Sequence, residues 1–199
     1  NTTSLTGDII NNAAVVFDQV NEGTYAGAIS GSGSVTKQNT GTLIVTGVST
    51  YTGATTVSAG TLQGNTTTLP GNILNNAAVV FDQEIDGTYA GAISGPGSVT
   101  KQNVGILVVT GANDYKGGTL VSAGTLQGDT TSLQGNISNN ATVVFNQATN
   151  GTYAGIISGS GSVTKQNAGT LIVTGPNTYT GKTTVSGGTL QGDTTSSKG

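Results

Sequence analysis

The sequence lacks cysteine, histidine, methionine, tryptophan and arginine, and it has few residues of either charge. Without cysteine, neither a disulfide framework nor a thiolate metal site can form. Without histidine or cysteine, the familiar serine and cysteine nucleophile arrangements lose their usual partners. Only 8% of the residues are charged, against about a quarter in typical soluble domains. These absences argue against an enzyme and predict a fold that is held together by stacking alone.

The positive charges are scattered lysines, and the formal net charge is −3. They stand at Lys37, Lys101, Lys116, Lys165, Lys182 and Lys198. Binding to phosphates needs clustered basic residues, so nucleic acid is not an expected partner. No apolar run is long enough for a membrane-spanning helix, which takes about 20 residues. The chain begins at Asn1 without a signal-like segment, and we expect it to be an internal fragment of a longer protein.

A long internal repeat organises the chain. The copies open with LTGDIINNAAVVFDQ, LPGNILNNAAVVFDQ and LQGNISNNATVVFNQ, and the first and third are identical at 48 of 64 positions without a gap. Internal repeats are the sequence signature of stacked architectures, and no linker separates these copies. We therefore predict one continuous unit over residues 1–199. Its repeats are 5–68, 69–132 and 133–196.

Short strands joined by turns suit this composition. Thr and Val favour a pleated, half-buried surface, while the 33 glycines and the many asparagines supply turn conformations. In TLIVT, alternation predicts that Leu43 and Val45 lie on one face of the strand and Ile44 on the other. In VSAGTLQG, the same rule predicts that Val57 points inward and Ser58 outward.

The spacing of the apolar strand centres predicts about three coils in each repeat. These centres are taken at Val16, Val35, Val57 and Val80, so that three intervals fill one repeat. Coils of this length that stack their strands in parallel form a β-helix with one continuous apolar core. The alternative is an antiparallel β-sandwich, but its seven strands usually take about 100 residues.

A motif occupies roughly half of each copy. It consists of a G-x-G turn, a hydrophobic-x-Lys strand, a G-x-L-x-L-type strand, then Tyr-Thr-Gly, Thr-x-Val and Gly-x-Leu. In the first copy it falls on Gly31, Gly33, Val35, Lys37, Gly41, Leu43, Val45, Gly47, Tyr51, Thr52, Gly53, Thr55, Val57, Gly60 and Leu62, and it recurs at Gly95–Leu126 and Gly159–Leu190. This pattern resembles the passenger-associated transport repeat of bacterial autotransporters, also called the autotransporter-associated β-strand repeat. Lys116 departs from it, because Thr stands there in the other two copies.

The resemblance implies an all-β, right-handed parallel β-helix in a passenger that is exported through the outer membrane. Such a segment is displayed on the bacterial cell surface, anchored or released, and a membrane barrel of the same polypeptide is expected outside the fragment. Its implied role is an adhesin stalk that supports export. The alternative is a carbohydrate-binding or self-associating module, so host-surface molecules, extracellular matrix and other cells are the candidate partners.

No catalytic, cofactor-binding or metal-binding residue is assigned, because the acidic positions are not kept between copies. Asp8 becomes Asn72 and Asn136, while Asp114 faces Thr50 and Thr178. Asp and Asn could both ligate calcium through oxygen, but the GGxGxDxUx nonapeptide of calcium-binding β-rolls is absent. We therefore expect no cofactor.

Three sets of recurring residues have both a structural and a binding interpretation, and the ligand-binding residues stay unassigned. The repeated lysines could bind an anionic polymer, but we expect solvated side chains beside a turn. The tyrosines could stack on sugars, but we expect packing between coils. We expect the paired asparagines to form hydrogen bonds with backbone groups at a corner of the coil. The three sets are Lys37, Lys101 and Lys165; Tyr25, Tyr51, Tyr89, Tyr115, Tyr153 and Tyr179; and Asn11–Asn12, Asn75–Asn76 and Asn139–Asn140.

Overall fold

The computed structural model describes residues 1–193, and these residues form 24 short strands and no helix. Accordingly, none of them belongs to a helix that could cross a membrane. The predicted third repeat ends at residue 196, and its last residues, like Lys198, lie outside the described part of the chain.

Each copy contributes eight strands in the same order. In the first copy these are β1 (Ile9–Ile10), β2 (Ala14–Asp18), β3 (Gly23–Tyr25), β4 (Ile29–Ser30), β5 (Ser34–Gln38), β6 (Thr42–Val45), β7 (Thr55–Val57) and β8 (Thr61–Gly64). In the second they are β9 (Ile73–Asn75), β10 (Ala78–Asp82), β11 (Gly87–Tyr89), β12 (Ile93–Ser94), β13 (Ser98–Gln102), β14 (Ile106–Val109), β15 (Thr119–Val121) and β16 (Thr125–Gly128). In the third they are β17 (Ile137–Asn139), β18 (Thr142–Asn146), β19 (Gly151–Tyr153), β20 (Ile157–Ser158), β21 (Ser162–Gln166), β22 (Thr170–Val173), β23 (Thr183–Val185) and β24 (Thr189–Gln191).

All the strand pairs are parallel, and neighbouring strands in space are distant in sequence. The longest sheet holds eight strands in the order β20-β17-β15-β13-β10-β8-β6-β3. The in-register partners run without a break from Gly23 through Leu43 to Ile157. Partners on adjacent coils lie 17 to 20 positions apart in the sequence. The predicted parallel β-solenoid is confirmed.

Successive copies are turned relative to one another. The prediction of about three coils per repeat is confirmed, and the register refines it, because each copy makes three coils and a further third. Equivalent strands therefore lie on different faces of the rod. β5 belongs to the sheet of β12-β9-β7-β5-β2, β13 to the eight-stranded sheet, and β21 to the sheet of β11-β14-β16-β18-β21-β23.

The core is a single apolar column that runs through all three copies. Val57 is buried and Ser58 exposed, as predicted. Leu43 and Val45 share one face, also as predicted, and that face is buried, while Ile44 on the other face is only half-buried. An aromatic pair repeats in each copy, with Phe81 meeting Tyr89 edge-on at a centroid distance of 4.9 Å in the second copy. Such pairs stabilise beyond the area they bury.

Val16 and Val80, two of the predicted strand centres, do lie in the middle of β2 and β10, but their side chains do not face the core. Val16 is 45% exposed, and Val80 also points outward, whereas Val79 and Phe81 are completely buried. The run AAVVF has two adjacent valines, so the alternation can start on either one. Phe decides the alternation, because the large aromatic ring gains most from burial.

Stacked glycines form one corner of the coil. A Cβ added to Gly91 would overlap the carbonyl oxygen of Gly71 in the coil beneath, and one on Gly111 would overlap Gly91 in the same way. The backbone of adjacent coils thus approaches too closely here for any side chain. Tyr89 closes this corner by donating its hydroxyl to the Gly71 carbonyl oxygen at 2.5 Å.

Candidate functional surfaces

The recurring lysines are buried, which corrects the prediction that they are solvated. Lys37, Lys101 and Lys165 have none of their surface exposed. They follow Val35, Val99 and Val163 by two residues, so strand alternation sends valine and lysine to the same interior side. That alternation was the signal that could have identified them.

Each buried ammonium group stabilises a turn. Lys101 Nζ donates to the carbonyl oxygens of Gln102 at 2.8 Å, Asn103 at 2.5 Å and Ala123 at 3.2 Å. Lys37 and Lys165 make the equivalent three bonds in their copies. Burial lowers the pKa of all three lysines. With the ammonium groups enclosed, these lysines cannot serve as an anion-binding ladder on the surface.

The tyrosines are buried, as the packing interpretation predicted. Tyr25, Tyr89 and Tyr153 donate to a glycine carbonyl one coil away. Tyr51, Tyr115 and Tyr179 each share a hydrogen bond with a threonine hydroxyl four residues on. Burial raises the pKa of Tyr89 and of Tyr115. No tyrosine ring is left outside to stack on a sugar.

The corner role predicted for the paired asparagines is confirmed for the first member of each pair. Asn75 is completely buried, donates to the Ser98 carbonyl oxygen at 2.8 Å and accepts from the Ala77 amide at 3.1 Å. Asn11 and Asn139 repeat both bonds. The second members, such as Asn76, are exposed.

The Asp-to-Asn exchanges have a structural explanation. Asp8, Asn72 and Asn136 each accept, through Oδ1, a backbone amide from the next coil. Asp86 and Asn150 also accept a backbone amide of the next coil. A third set, Asp18, Asp82 and Asn146, accepts the side-chain amide of an asparagine at a turn of the next coil. Either side chain supplies the oxygen, so the charge is dispensable. Within residues 1–193 no three acidic groups gather as a metal site would require.

The outward surface carries a groove of about 440 Å³ along the eight-stranded sheet. It runs beside β13, β15, β17 and β20, and its lining is uncharged. Thr100, Leu120, Ser138 and Ser158 follow one another in register on successive coils. Sequence reasoning missed this groove, because it depends on which strands the one-third turn places side by side.

Comparison with known proteins identifies the repeated part of each copy. The family described as the passenger-associated-transport-repeat matches residues 35–63, 99–127 and 163–191. In the first copy the match begins on β5, which carries the buried lysine, and ends on β8. The other two matches span the equivalent strands.

A curated relative extends the similarity to most of the chain. The adhesin BmaC autotransporter of Brucella suis biovar 1 (strain 1330) is 36% identical over 210 residues, which cover 86% of this chain and 6% of that protein. The chain thus spans a small fraction of this relative's length. No solved structure matches the chain.

Proposed function

Because this chain belongs to the autotransporter passengers that carry passenger-associated transport repeats, we propose that it is a non-enzymatic shaft of an adhesin displayed on the bacterial surface. In this proposal it forms one continuous rod that holds other parts of the passenger away from the outer membrane. Its partners are host-surface or matrix molecules, met by the passenger as a whole.

The observation that carries the proposal is the repetition of the main structural contacts from copy to copy. The lysine-capped turn, the tyrosine–glycine bond and the asparagine corner occur three times with the same partners. A dedicated binding protein usually varies its scaffold around one site, whereas a spacer gains length by adding equal units. The unbroken parallel register through all three copies supports the spacer.

The same repetition supports a role in export. Each coil contacts mainly its neighbours, so folding can start at an emerging end and continue coil by coil. With no cysteine, no disulfide can close a loop before the chain has crossed a membrane. The folded coils then keep the segment outside.

The second candidate function is an adhesive module for carbohydrate or for another copy. The relative named as an adhesin and the uncharged groove favour it. The two functions are compatible, since a shaft can carry a binding surface on one of its faces.

Removing residues 69–132 from the displayed protein tests the shaft. We expect surface display to persist, as measured by antibody labelling of intact cells, because the junction between the first and third copies is the same as between neighbours. Adhesion should fall gradually if contact is multivalent. Loss of display with an intact fold would refute the export role, and complete loss of adhesion with normal display would place the essential contact in the middle copy.

A further inference from the structure

The groove in the eight-stranded sheet has chemistry that no structural role uses. It lies on the outer face of the sheet. Asn136 in its lining accepts the Ile156 amide of the next coil, but the ladder of Thr100, Leu120, Ser138 and Ser158 makes no side-chain hydrogen bond between coils within residues 1–193. Within residues 1–193, the hydroxyl groups of Thr100, Ser138 and Ser158 make no hydrogen bond. Leu120, in register between Thr100 and Ser138, is 37% exposed.

The middle copy shapes the groove through its differences from the other two. Gly118, with φ +76°, stands where the first copy has Ala54 and the third has Lys182. This leaves a gap between Ser98 and Asn136, which lie in register one coil to either side. Leu120 replaces a threonine of both other copies. The site therefore differs from copy to copy, and so does the turn that contains Gly118, whereas the lysine-capped turn and the asparagine corner are repeated.

The charge around the groove excludes ionic ligands. Its lining residues are all neutral, and the nearby Lys116 is paired with Asp114 at 2.8 Å. A phosphate, sulfate or acidic sugar would be desolvated there without a counter-ion. A neutral ligand that offers several hydroxyl groups and an apolar edge avoids this cost.

We propose that this groove binds a neutral oligosaccharide, with the sugar lying along the rod axis. Thr100, Ser138 and Ser158 present hydroxyls that both donate and accept hydrogen bonds, as sugar hydroxyls do. Their coils are spaced at about 4.8 Å, so the ladder from Thr100 to Ser158 extends over about 14 Å, the length of a trisaccharide. Leu120 packs against the apolar C–H face of one ring, and a few polar groups beside an apolar surface are the usual composition of a small-ligand site. The site adds to the adhesive part of the proposed function.

Titration of the purified chain with neutral trisaccharides, followed by NMR, tests the site. The probes are maltotriose, cellotriose and triacetylchitotriose, with sialyllactose as the charged comparison. We expect at least one neutral probe to shift the amide signals of Gly118, Leu120 and Ser138 saturably, and sialyllactose to bind at least ten-fold more weakly. The same titration of Ser138→Leu should show at least a ten-fold loss of affinity.

The repeat provides the matched controls. Leucine already occupies the equivalent position at Leu74, where it is 43% exposed, so Ser138→Leu should fold normally. The reciprocal Leu74→Ser should bind the sugar like the parent, and Thr100→Val gives a second test through loss of one hydroxyl. Absence of saturable shifts with every neutral probe, or equal affinity of Ser138→Leu and the parent, would overturn the proposal. Because the purified chain is tested, this result is independent of whether the rod is displayed on cells.

Discussion

A lysine with no exposed surface is unusual, and here the backbone explains it. Lys101 lies with its aliphatic stem in the apolar core, and its ammonium group takes three carbonyl oxygens as acceptors. Two of these oxygens, on Asn103 and Ala123, accept no other hydrogen bond within residues 1–193. The carboxylates of Asp82 and Asp86 partly oppose the lowering of the Lys101 pKa by burial. The lysine thus donates hydrogen bonds to carbonyl groups that would otherwise face the core without a donor.

Replacing Lys101 with methionine should destabilise the rod. Methionine matches the stem but leaves the carbonyls of Asn103 and Ala123 without a donor, and an unsatisfied buried acceptor costs about 1–3 kcal/mol. Relief of the ammonium desolvation offsets part of this, so we expect a loss of about 2 kcal/mol in urea unfolding. Lys116→Met is the control and should unfold like the parent, because Lys116 is 74% exposed. Equal stability of the two variants would show that the buried ammonium contributes nothing.

An aspartate at position 109 should be far more damaging than one at position 108. Val109 is 6% exposed and points inward on β14, while the adjacent Val108 points outward. A buried unpaired charge costs several kcal/mol, so we expect Val109→Asp to lose about 3–5 kcal/mol. Val108→Asp should change stability little. Thermal melting of both variants distinguishes them, and similar melting temperatures would contradict the inward assignment.

At the scale of the element, the strands and the asparagine corners were predictable, but the turns that the buried lysines stabilise were not. Alternation predicts Leu43, Val45 and Val57 correctly, since a slip of one residue would expose the whole apolar set. The same rule applied to Val35 would have placed Lys37 inside, but its charge argued for the surface. The acceptors that make burial favourable come from the turn and from the next coil, and a single sequence does not show them.

The turn after β13 depends on an asparagine with a left-handed backbone. Asn103 has φ +65°, which is unfavourable for most side chains, and its amide donates to Asp82 in the coil beneath. Asn103→Ala loses both features, and we expect it to cost about 1–2 kcal/mol. Asn103→Gly keeps the backbone freedom and should cost less. If chemical denaturation finds the two variants equally destabilised, the hydrogen bond, which both variants lack, and not the backbone conformation controls this turn.

For the whole molecule, the repeat length and the coil length together determine how far each copy is rotated relative to the one before it. The period of the repeat could be predicted from the sequence, and so could a stacked fold. The groove could not be predicted, because its walls are residues far apart in sequence that the coil brings into register. In the sequence alone, Gly118 resembles an ordinary turn glycine. Its part in the groove becomes visible only when its neighbours on the adjacent coils are known.

Deleting residues 69–132 should shorten the rod without changing its local structure. The loss is three and one-third coils, or about 16 Å at a strand spacing of about 4.8 Å, which small-angle X-ray scattering can measure. Circular dichroism should still show strand and almost no helix. Deleting only residues 69–100 joins positions that are not equivalent, exposes inward side chains and leaves an unpaired strand edge that favours aggregation. If this half-length deletion gave a soluble and equally stable protein, the register would be contradicted.

The one-third turn between copies determines how such a rod faces its surroundings. A group that recurs once per copy points in three directions, a third of a turn apart, so three copies show it on every side of the rod. A partner that approaches the rod from any side then meets the same group, and the rod does not have to rotate about its axis to present that group. A flat partner that lies along one side meets that group only once in three copies. Side-by-side contacts between two such rods must therefore be sparse, unless they are built from groups that differ between copies.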